Sequence, residues 1–290
     1  SFGVNSSYNS FDQEIDYSVI QSNFSTRADP NINTINLDVS DLTNQLYFQT
    51  VLREEFAFGL GAEHKLLRYS TRTLNELISD PESTNTGERT YFEDSNYFSV
   101  FGKLILDTYD DRYFPSRGLY FDGDFHLYLF SSDFNDNFSE FAIGKARMGA
   151  AFPIWNRLSL NLETEGGFKL GSSPVSALDF VLGGYGSVRL NNFVPFLGYD
   201  FLSLPGNSYV KAYGRLDWEF AQKNHLMFAA NIANVEDDLF RTGEWFTAPD
   251  FAGFGIGYGW ESFFGPVQVM YSWSPEAGQN VIFFSVGYWF

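Results

Sequence analysis

The feature that most constrains the fold is an alternation of apolar and polar residues that recurs from one end of the chain to the other. In segment 208–220 the even positions include Leu216 and Trp218, whereas the odd positions include Lys211 and Arg215. Successive side chains of a β-strand point to opposite faces, so this segment has one apolar and one charged face. The same alternation recurs in three further segments, 117–130, 157–170 and 280–290. Helical periodicity is almost absent, and the pattern predicts an all-β protein.

Composition excludes several classes of protein. The 290 residues contain no cysteine, which rules out disulfide scaffolds and cysteine-ligated zinc or iron–sulfur sites. A net charge of −18 argues against a nucleic-acid-binding surface, and we expect no nucleic-acid partner. The sequence has no apolar run of about 18 residues, so we expect no membrane-spanning helix.

Two folds can use strands with one apolar face. In a soluble β-sandwich the apolar face is buried between two sheets, whereas in a transmembrane β-barrel it meets lipid and the polar face lines the lumen. The alternating segments reach about ten residues or more, which is the length that a tilted strand needs to cross a bilayer. Sandwich strands are more often about five or six residues long. Strand length therefore favours an antiparallel transmembrane β-barrel.

The lengths of the connections favour the same fold. Short connections fall on one side of the predicted sheet, at 110–115, 153–156, 221–224 and 263–266. Long connections fall on the other side, at 70–95, 171–206 and 236–252. Short periplasmic turns opposite long external loops are typical of outer-membrane barrels.

The asymmetry requires that 178–189 belongs to a long connection and does not span the membrane. Fourteen strands are then predicted, at 1–8, 12–24, 32–40, 44–53, 56–69, 96–108, 117–130, 138–151, 157–170, 208–220, 225–235, 253–261, 266–274 and 280–290.

Aromatic residues are unusually frequent, since Phe, Tyr and Trp make up 19% of the chain. In a membrane barrel, Trp and Tyr rings concentrate at the two boundaries between lipid and water. Trp218, Trp260 and Trp273 lie near the ends of predicted strands, and we interpret them as members of an aromatic girdle. In a soluble β-protein the same residues would belong to the core.

The chain has no recognisable catalytic motif. A serine hydrolase with a nucleophile elbow needs a G-x-S-x-G turn, and the nearest stretch, Gly184–Val188, has its serine one position late and lacks the second flanking glycine. Carboxylates such as Glu163 and Glu165 could act as an acid–base pair, but Lys211 and Arg215 offer countercharges, which favours structural pairing. The three histidines lie on separate predicted strands without metal-ligand spacing. We therefore predict no catalytic residue, no metal and no cofactor in this chain.

One connection resembles a known turn. Residues 107–118, with Asp107, Arg112, Pro115 and Gly118, resemble the periplasmic turn of the BamA/TamA-type bacterial surface antigen superfamily, whose members are outer-membrane assembly barrels. Proline and glycine at these positions are typical of a tight reversal, and Gly118 would open the next strand. We interpret these four residues as a periplasmic turn motif.

A second resemblance to that superfamily lies in the long connection 171–206. The superfamily places a lumen-inserted loop here, and Arg189 fits its signature, although Leu190 stands where the signature has glycine. Two alternatives follow from the resemblance. The loop is exposed outside, or it is an extracellular loop that plugs the lumen with Arg189 paired to Asp217 or Glu219. An unpaired guanidinium would be costly in a narrow lumen.

Three short stretches together resemble one branch of the superfamily. They are similar to the C-terminal barrel of Bacteroidetes-type patatin-like phospholipases of the outer membrane, and they read LGGYG (182–186), NNFVPFLGY (191–199) and FFSVGYWF (283–290). That branch is expected to have about sixteen strands after a patatin domain. The resemblance implies that residues 1–290 are a single barrel domain, a C-terminal fragment without its first strands. The terminal aromatic residues resemble the signal for barrel insertion, carried by Phe284, Val286, Tyr288 and Phe290.

Three functions remain open at this stage. The resemblance implies a membrane anchor for a serine-dependent phospholipase whose catalytic domain is absent from this chain. A BamA/TamA-type assembly or secretion factor is the second interpretation and would need POTRA domains before the barrel. A passive porin with an open lumen is the third. Each would be integral to the bacterial outer membrane with a periplasmic C-terminus. The expected partners are phospholipid, lipopolysaccharide and the barrel assembly machinery, and a homodimer is a further option.

Overall fold

Within the part of the chain that the structure describes, twelve long strands build one antiparallel sheet. The structure is a computed structural model, which describes residues 1–16, 34–52, 55–72, 89–171, 175–185, 192–278 and 280–287. The long strands are β1 (Phe2–Asp16), β2 (Thr34–Leu52), β3 (Phe56–Arg72), β4 (Arg89–Asp107), β5 (Gly118–Ser131), β6 (Phe141–Trp155), β7 (Leu158–Leu170), β11 (Ser208–Ala221), β12 (Asn224–Glu236), β13 (Phe251–Ser262), β14 (Gly265–Trp273) and β15 (Asn280–Val286). Three short strands in the connection between β7 and β11 form a second sheet, namely β8 (Phe180–Leu182), β9 (Phe193–Val194) and β10 (Leu204–Gly206).

Each strand of the main sheet pairs with the next one along the sequence, apart from the β7–β11 pair that encloses the second sheet. As the sequence predicted for 178–189, β8 belongs to the long connection and does not join the main sheet. In the described part of the chain, helical structure is limited to α1 (Leu239–Thr242) and the 3-10 turns Ser176–Leu178 and Glu244–Phe246. Within those residues, no helix has the length and apolarity required to cross a membrane.

The connections alternate between two ends of the sheet. The short-turn end carries the connections 53–55, 108–117, 156–157, 222–223 and 263–264. The long-connection end carries 17–33, 73–88, 132–140, 171–207, 237–250 and 274–279. This is the asymmetry that the sequence predicted, and it is the arrangement found in outer-membrane barrels.

The faces of the strands are inverted relative to a water-soluble protein. On β11, Leu216 and Trp218 are 40% and 48% exposed, whereas Lys211 and Arg215 are only 5% and 8% exposed. In a soluble protein, Lys and Arg are almost never fully buried, and a contiguous exposed apolar surface is rare. The apolar rows therefore face lipid, which excludes the sandwich interpretation. The prediction of an antiparallel transmembrane β-barrel fold is confirmed.

The predicted number of strands was wrong near the N-terminus. The breaks expected at 9–11 and 41–43 do not occur, because β1 and β2 each continue through them as paired strands. The polar residues that resemble turn residues are paired across the two strands, as where Ser6 Oγ donates to Asn44 Oδ1 at 2.7 Å. Within the described residues, the main sheet has twelve strands where fourteen were predicted. Because two turns are lost, the chain direction of every later strand is unchanged, and each later connection stays on its predicted side. Residues 17–24 of the second predicted strand lie outside the described residues.

Candidate functional site

The longest connection contributes the main contents of the barrel interior. We use the term inner segment for its described residues, 175–185 and 192–206. Lys169 on β7 donates from Nζ to the carbonyl oxygen of Val175 at 2.6 Å and to Asp179 Oδ1 at 2.7 Å. Lys211 on β11 donates to the carbonyl oxygen of Pro195 at 3.2 Å. Both lysines are buried, so the inner segment supplies oxygen ligands that their charges require.

Both end strands of the main sheet contact the inner segment. Phe11 on β1 packs edge-to-face on Phe193 with ring centroids 5.6 Å apart. Phe283 on β15 packs in the same manner on Tyr185 at 5.2 Å. Because the first and the last strand touch the same segment, the sheet must curve around it. The inner segment therefore lies inside the wall.

Strand β13 is shaped to receive the inner segment. Four successive inward positions are glycine, namely Gly253, Gly255, Gly257 and Gly259, in the run GFGIGYG (253–259). A Cβ atom on Gly253 would lie 1.8 Å from the carbonyl oxygen of Leu197, which leaves no room for any side chain there. The Leu197 amide donates to Asn231 Oδ1 on the neighbouring β12 at 2.8 Å. In the sequence this close approach is marked by a glycine at every second position from 253 to 259.

Further inward charges are paired with one another. Glu165 accepts from Lys211 Nζ at 2.6 Å and from the Tyr209 hydroxyl at 2.8 Å. Lys65 contacts Asp41 Oδ2 at 3.1 Å, with both side chains buried. These pairs agree with the interpretation of lumen charges as structural countercharges. Buried ions need such partners because the interior screens charge poorly.

The inner segment faces the opposite wall across a small cavity. A cavity of about 120 Å³ separates Leu178 and Phe180 of the inner segment from inward residues of β4 and β5, including Phe101, His126 and Tyr128. Phe180 itself is fully buried and packs against Tyr209 with ring centroids 4.9 Å apart. The lumen is largely filled at this level.

The connection 108–117 closes part of the short-turn end. Phe114 is 6% exposed and stacks on the imidazole of His225, with ring centroids 4.1 Å apart and planes 13° apart. Arg215 donates to the carbonyl oxygen of Tyr113 at 3.1 Å. The connection thus points an aromatic side chain into the interior and does not extend away from the sheet.

Two aspartates, Asp110 and Asp111, hold this connection in shape. Asp110 Oδ1 accepts from the amides of Ser116 at 2.8 Å and Arg117 at 3.1 Å. Asp111 Oδ1 accepts from the Phe114 amide at 2.7 Å. Burial alone would raise the pKa of Asp110, but the hydrogen bonds from the Ser116 hydroxyl and these amides lower its pKa below the ordinary value. Neither residue belongs to the predicted turn motif, although aspartate is frequent in turns because its side chain accepts hydrogen bonds from nearby backbone amides.

The four residues of the predicted turn motif have separate places in this connection. Asp107 Oδ1 accepts from the Tyr109 amide at 3.0 Å, and the carbonyl oxygen of the buried Pro115 accepts from Ser159 Oγ at 3.4 Å. Gly118 has a φ of +117°, a conformation that favours glycine, and begins β5 as expected. Arg112 is exposed.

His225 links two carboxylates beside a cavity at the short-turn end. Its Nδ1 lies 2.8 Å from Asp217 Oδ1, and its Nε2 lies 3.0 Å from Glu261 Oε1. The cavity, of about 890 Å³, is lined by these three residues together with Phe114. The other two histidines lie elsewhere: His64 bonds to Asn44 and Asn96, and His126 lies near Glu63.

The predicted plug residues are not brought together in the described residues. Arg189 lies outside them, Asp217 bonds to His225, and Glu219 accepts from the Lys223 amide at 2.9 Å. Pairing of Arg189 with either carboxylate stays a prediction.

The predicted girdle and insertion residues face outward where they are described. Trp218, Trp260 and Trp273 are 48%, 40% and 36% exposed. Phe284 and Val286 are 63% and 54% exposed on β15, and Tyr288 and Phe290 lie outside the described residues. Their roles at the membrane boundary and in insertion stay predictions.

These features define a class, an antiparallel membrane barrel that contains a long connection in its interior. The chain belongs to the OMP85 superfamily, whose sequence profile matches residues 1–290, and such barrels are integral to the outer membrane. No curated protein matches the sequence.

Solved structures share the fold. BamA from Haemophilus ducreyi lacking POTRA domains 1–3 is similar with a TM-score of 0.59 and 14% identity, over 96% of this chain and 60% of that one. CdiB from Acinetobacter baumannii is similar with a TM-score of 0.57 and 11% identity, over 97% of this chain and 48% of that one. The chain therefore spans only part of each of these two structures.

Gly253→Ala should destabilise the barrel, because the new methyl group would displace Leu197 from β13. We expect a loss of about 1–3 kcal/mol in the free energy of unfolding, measured by guanidinium titration in detergent micelles. Gly214→Ala is the matched control, since a Cβ atom there would meet only Leu162 Cδ2 at an ordinary 3.6 Å. Equal effects of the two substitutions would contradict the close approach of the inner segment to β13.

Asp110→Asn should destabilise the protein in a pH-dependent way. The folded state lowers the pKa of Asp110, so its carboxylate stabilises the fold above the ordinary value of 3.8 and ceases to do so as the pH falls through the folded value. We expect a deficit of about 1 kcal/mol at pH 7 that shrinks below about pH 4. Asp136→Asn, at an exposed position, serves as the control. A deficit that stays constant from pH 7 to pH 3 would refute the account.

Proposed function

We propose that this chain is the closed, membrane-anchoring barrel of an outer-membrane patatin-like phospholipase, and that it catalyses no reaction itself. The observation that carries the closed state is the position of the inner segment, which both end strands contact. In this proposal the short-turn end and the C-terminus face the periplasm. The outer wall binds phospholipid and lipopolysaccharide, and the barrel assembly machinery inserts the chain.

The energetics of the buried lysines support a barrel that stays closed. Removing the inner segment from the lumen would strip Lys169 of Asp179 and of the Val175 carbonyl oxygen, and Lys211 of the Pro195 carbonyl oxygen. Breaking a buried ion pair by removing one partner costs about 3–5 kcal/mol. A porin needs a lumen that stays open to solutes, and a segment bonded to buried lysines inside the lumen does not suit that function.

The absence of catalysis is supported by how the interior carboxylates are used. Glu165 is committed to Lys211 and Tyr209, and Asp217 is committed to His225. An acid–base pair for hydrolysis needs one carboxyl group free to exchange a proton with a substrate. These two carboxylates therefore suit a structural role.

The proposed link to a phospholipase rests on the sequence resemblance of two loop stretches, and the structure shows how these stretches are arranged. LGGYG and NNFVPFLGY are bonded to each other in the inner segment. The Gly184 amide donates to the Tyr199 carbonyl oxygen at 2.9 Å, and the Phe196 amide donates to the Gly184 carbonyl oxygen at 2.7 Å. A Cβ atom at position 183 would lie 2.0 Å from the Asp200 carbonyl oxygen, so only glycine fits at Gly183. The two stretches thus act as one packed unit.

An outer-membrane assembly or secretion factor of the BamA/TamA type is the second candidate. Over the described residues, β1 and β15 are the two end strands of the main sheet, and each pairs with one neighbouring strand. This arrangement favours the second candidate. A strand at the end of a sheet can pair with a strand from another polypeptide. BamA and CdiB share the fold at identities that carry no further functional inference.

A closed anchor should not conduct ions. We expect the purified chain, reconstituted in planar bilayers, to show no steady conductance. A variant in which residues 175–206 are replaced by a short Gly-Ser linker should open a pore, because the inner segment fills the lumen. Steady open channels in the unmodified chain would contradict the closed state and favour a porin.

The sequence encoded before the codon for Ser1 distinguishes the two candidates for the parent protein. A domain with a G-x-S-x-G turn that reacts with a fluorophosphonate probe in the native membrane is the expected result. Tandem POTRA domains in that position would contradict the phospholipase and support the assembly or secretion factor.

A further inference from the structure

The connection between β12 and β13 folds back over the outer face of the wall. On β11 the outward row is the one that contains the exposed Leu216, and Ser208 belongs to this row. Ser208 is nevertheless only 2% exposed, because the Leu239 amide at the start of α1 donates to its Oγ at 2.9 Å. Leu239 is 1% exposed and is not among the buried apolar residues that pack together in the interior. The segment therefore covers the wall from outside.

A second attachment fastens the same segment to the neighbouring strand. Asn234 on β12 shares the outward row with Ile232, which is 43% exposed, yet Asn234 is only 5% exposed. Its Nδ2 donates to the Glu244 carbonyl oxygen and to Thr247 Oγ1, both at 3.1 Å. Its Oδ1 accepts from the Asp250 amide at 2.8 Å. The segment is thus bonded to the outer face at two strands.

These attachments build a row of four aromatic rings, which we call the aromatic collar: Phe168, Phe240, Trp245 and Phe246. Phe168 on β7 packs on Phe240 at 5.6 Å, Phe240 on Trp245 at 5.6 Å, and Trp245 on Phe246 at 3.5 Å. Phe240, Trp245 and Phe246 are 40%, 36% and 78% exposed. The collar begins on the lipid-facing wall and continues along the connection at the long-connection end.

We propose that the aromatic collar is a lipid-binding element that enters the boundary between acyl chains and headgroups in the leaflet at the long-connection end. Continuity with the wall identifies this occupant, because the collar extends the lipid-facing row through the Phe168–Phe240 contact without a polar break. Trp and Phe rings are stabilised at that depth.

Charges on the same segment support the boundary position. Arg241 pairs with Asp238, and Glu244 accepts from Thr242 Oγ1 at 2.9 Å. These groups need water or headgroups, whereas the rings beside them need an apolar phase. A segment with both requirements, held against a membrane wall, is satisfied at the surface of the bilayer.

Phe246→Cys tests the collar directly, because the chain has no other cysteine. The purified full chain, carrying an environment-sensitive nitrobenzoxadiazole probe at this thiol, is reconstituted in phosphatidylcholine vesicles. We expect emission shifted to the blue and strong quenching by doxyl-labelled lipid, with weak quenching by iodide. A lipid-exposed position at Leu162 and a water-exposed position at Gln222, each replaced by cysteine, calibrate the two extremes.

The neighbouring ring gives an independent readout without a label. The difference in fluorescence between the unmodified chain and Trp245→Phe isolates the emission of Trp245, and brominated phosphatidylcholine should quench this emission. The proposal is overturned if the probe at position 246 is quenched by iodide as strongly as the probe at 222 while the probe at 162 reports lipid. It is equally overturned if brominated lipid leaves the Trp245 emission unchanged.

Discussion

The structure depends on the separation of charge from hydrocarbon by a wall one strand thick. A strand can turn Leu216 to lipid and Arg215 to the interior at adjacent positions only because successive side chains alternate. Backbone amides and carbonyls are satisfied along the strands by neighbouring strands, since lipid offers them no partner. The charges sent inward must then be neutralised within a narrow lumen, and this second requirement determines what the interior contains.

Two connections meet that requirement from opposite ends. The inner segment supplies Asp179 and backbone carbonyl oxygens to Lys169 and Lys211, and it fills the space beside them with fully buried rings. The connection 108–117 supplies a carbonyl oxygen to Arg215 and places Phe114 on His225. The same two connections therefore neutralise the inward charges and occupy the lumen. The same groups that make the interior stable also make an open channel unfavourable, which is the physical basis for the proposed anchoring role.

Much of the wall could be predicted from the sequence, because alternation is a local property that each strand carries by itself. Two of the errors have one cause, which is that the deciding contacts are distant in sequence. The polar residues of β1 and β2 resemble turns until Ser6 is paired with Asn44. Gly253 on the inner face of β13 has no evident purpose until Leu197 lies against it. Asp110 is one of several aspartates in the connection 108–117 and its surroundings, and nothing in the sequence distinguishes it. Only the folded connection shows that its carboxylate accepts from two backbone amides. The candidate site could be predicted as a region but not as a set of contacts.

The most direct test of the account is a spin-label scan along β11, with a single cysteine introduced in turn at each position from 210 to 219 in the reconstituted chain. Collisions of each nitroxide with molecular oxygen, which concentrates in lipid, are compared with collisions with a water-soluble nickel chelate. The account predicts an oxygen preference with a period of two residues, with maxima at even positions such as Leu216 and minima at odd positions such as Arg215. A flat profile, or maxima at the odd positions, would contradict the outward orientation of the apolar rows.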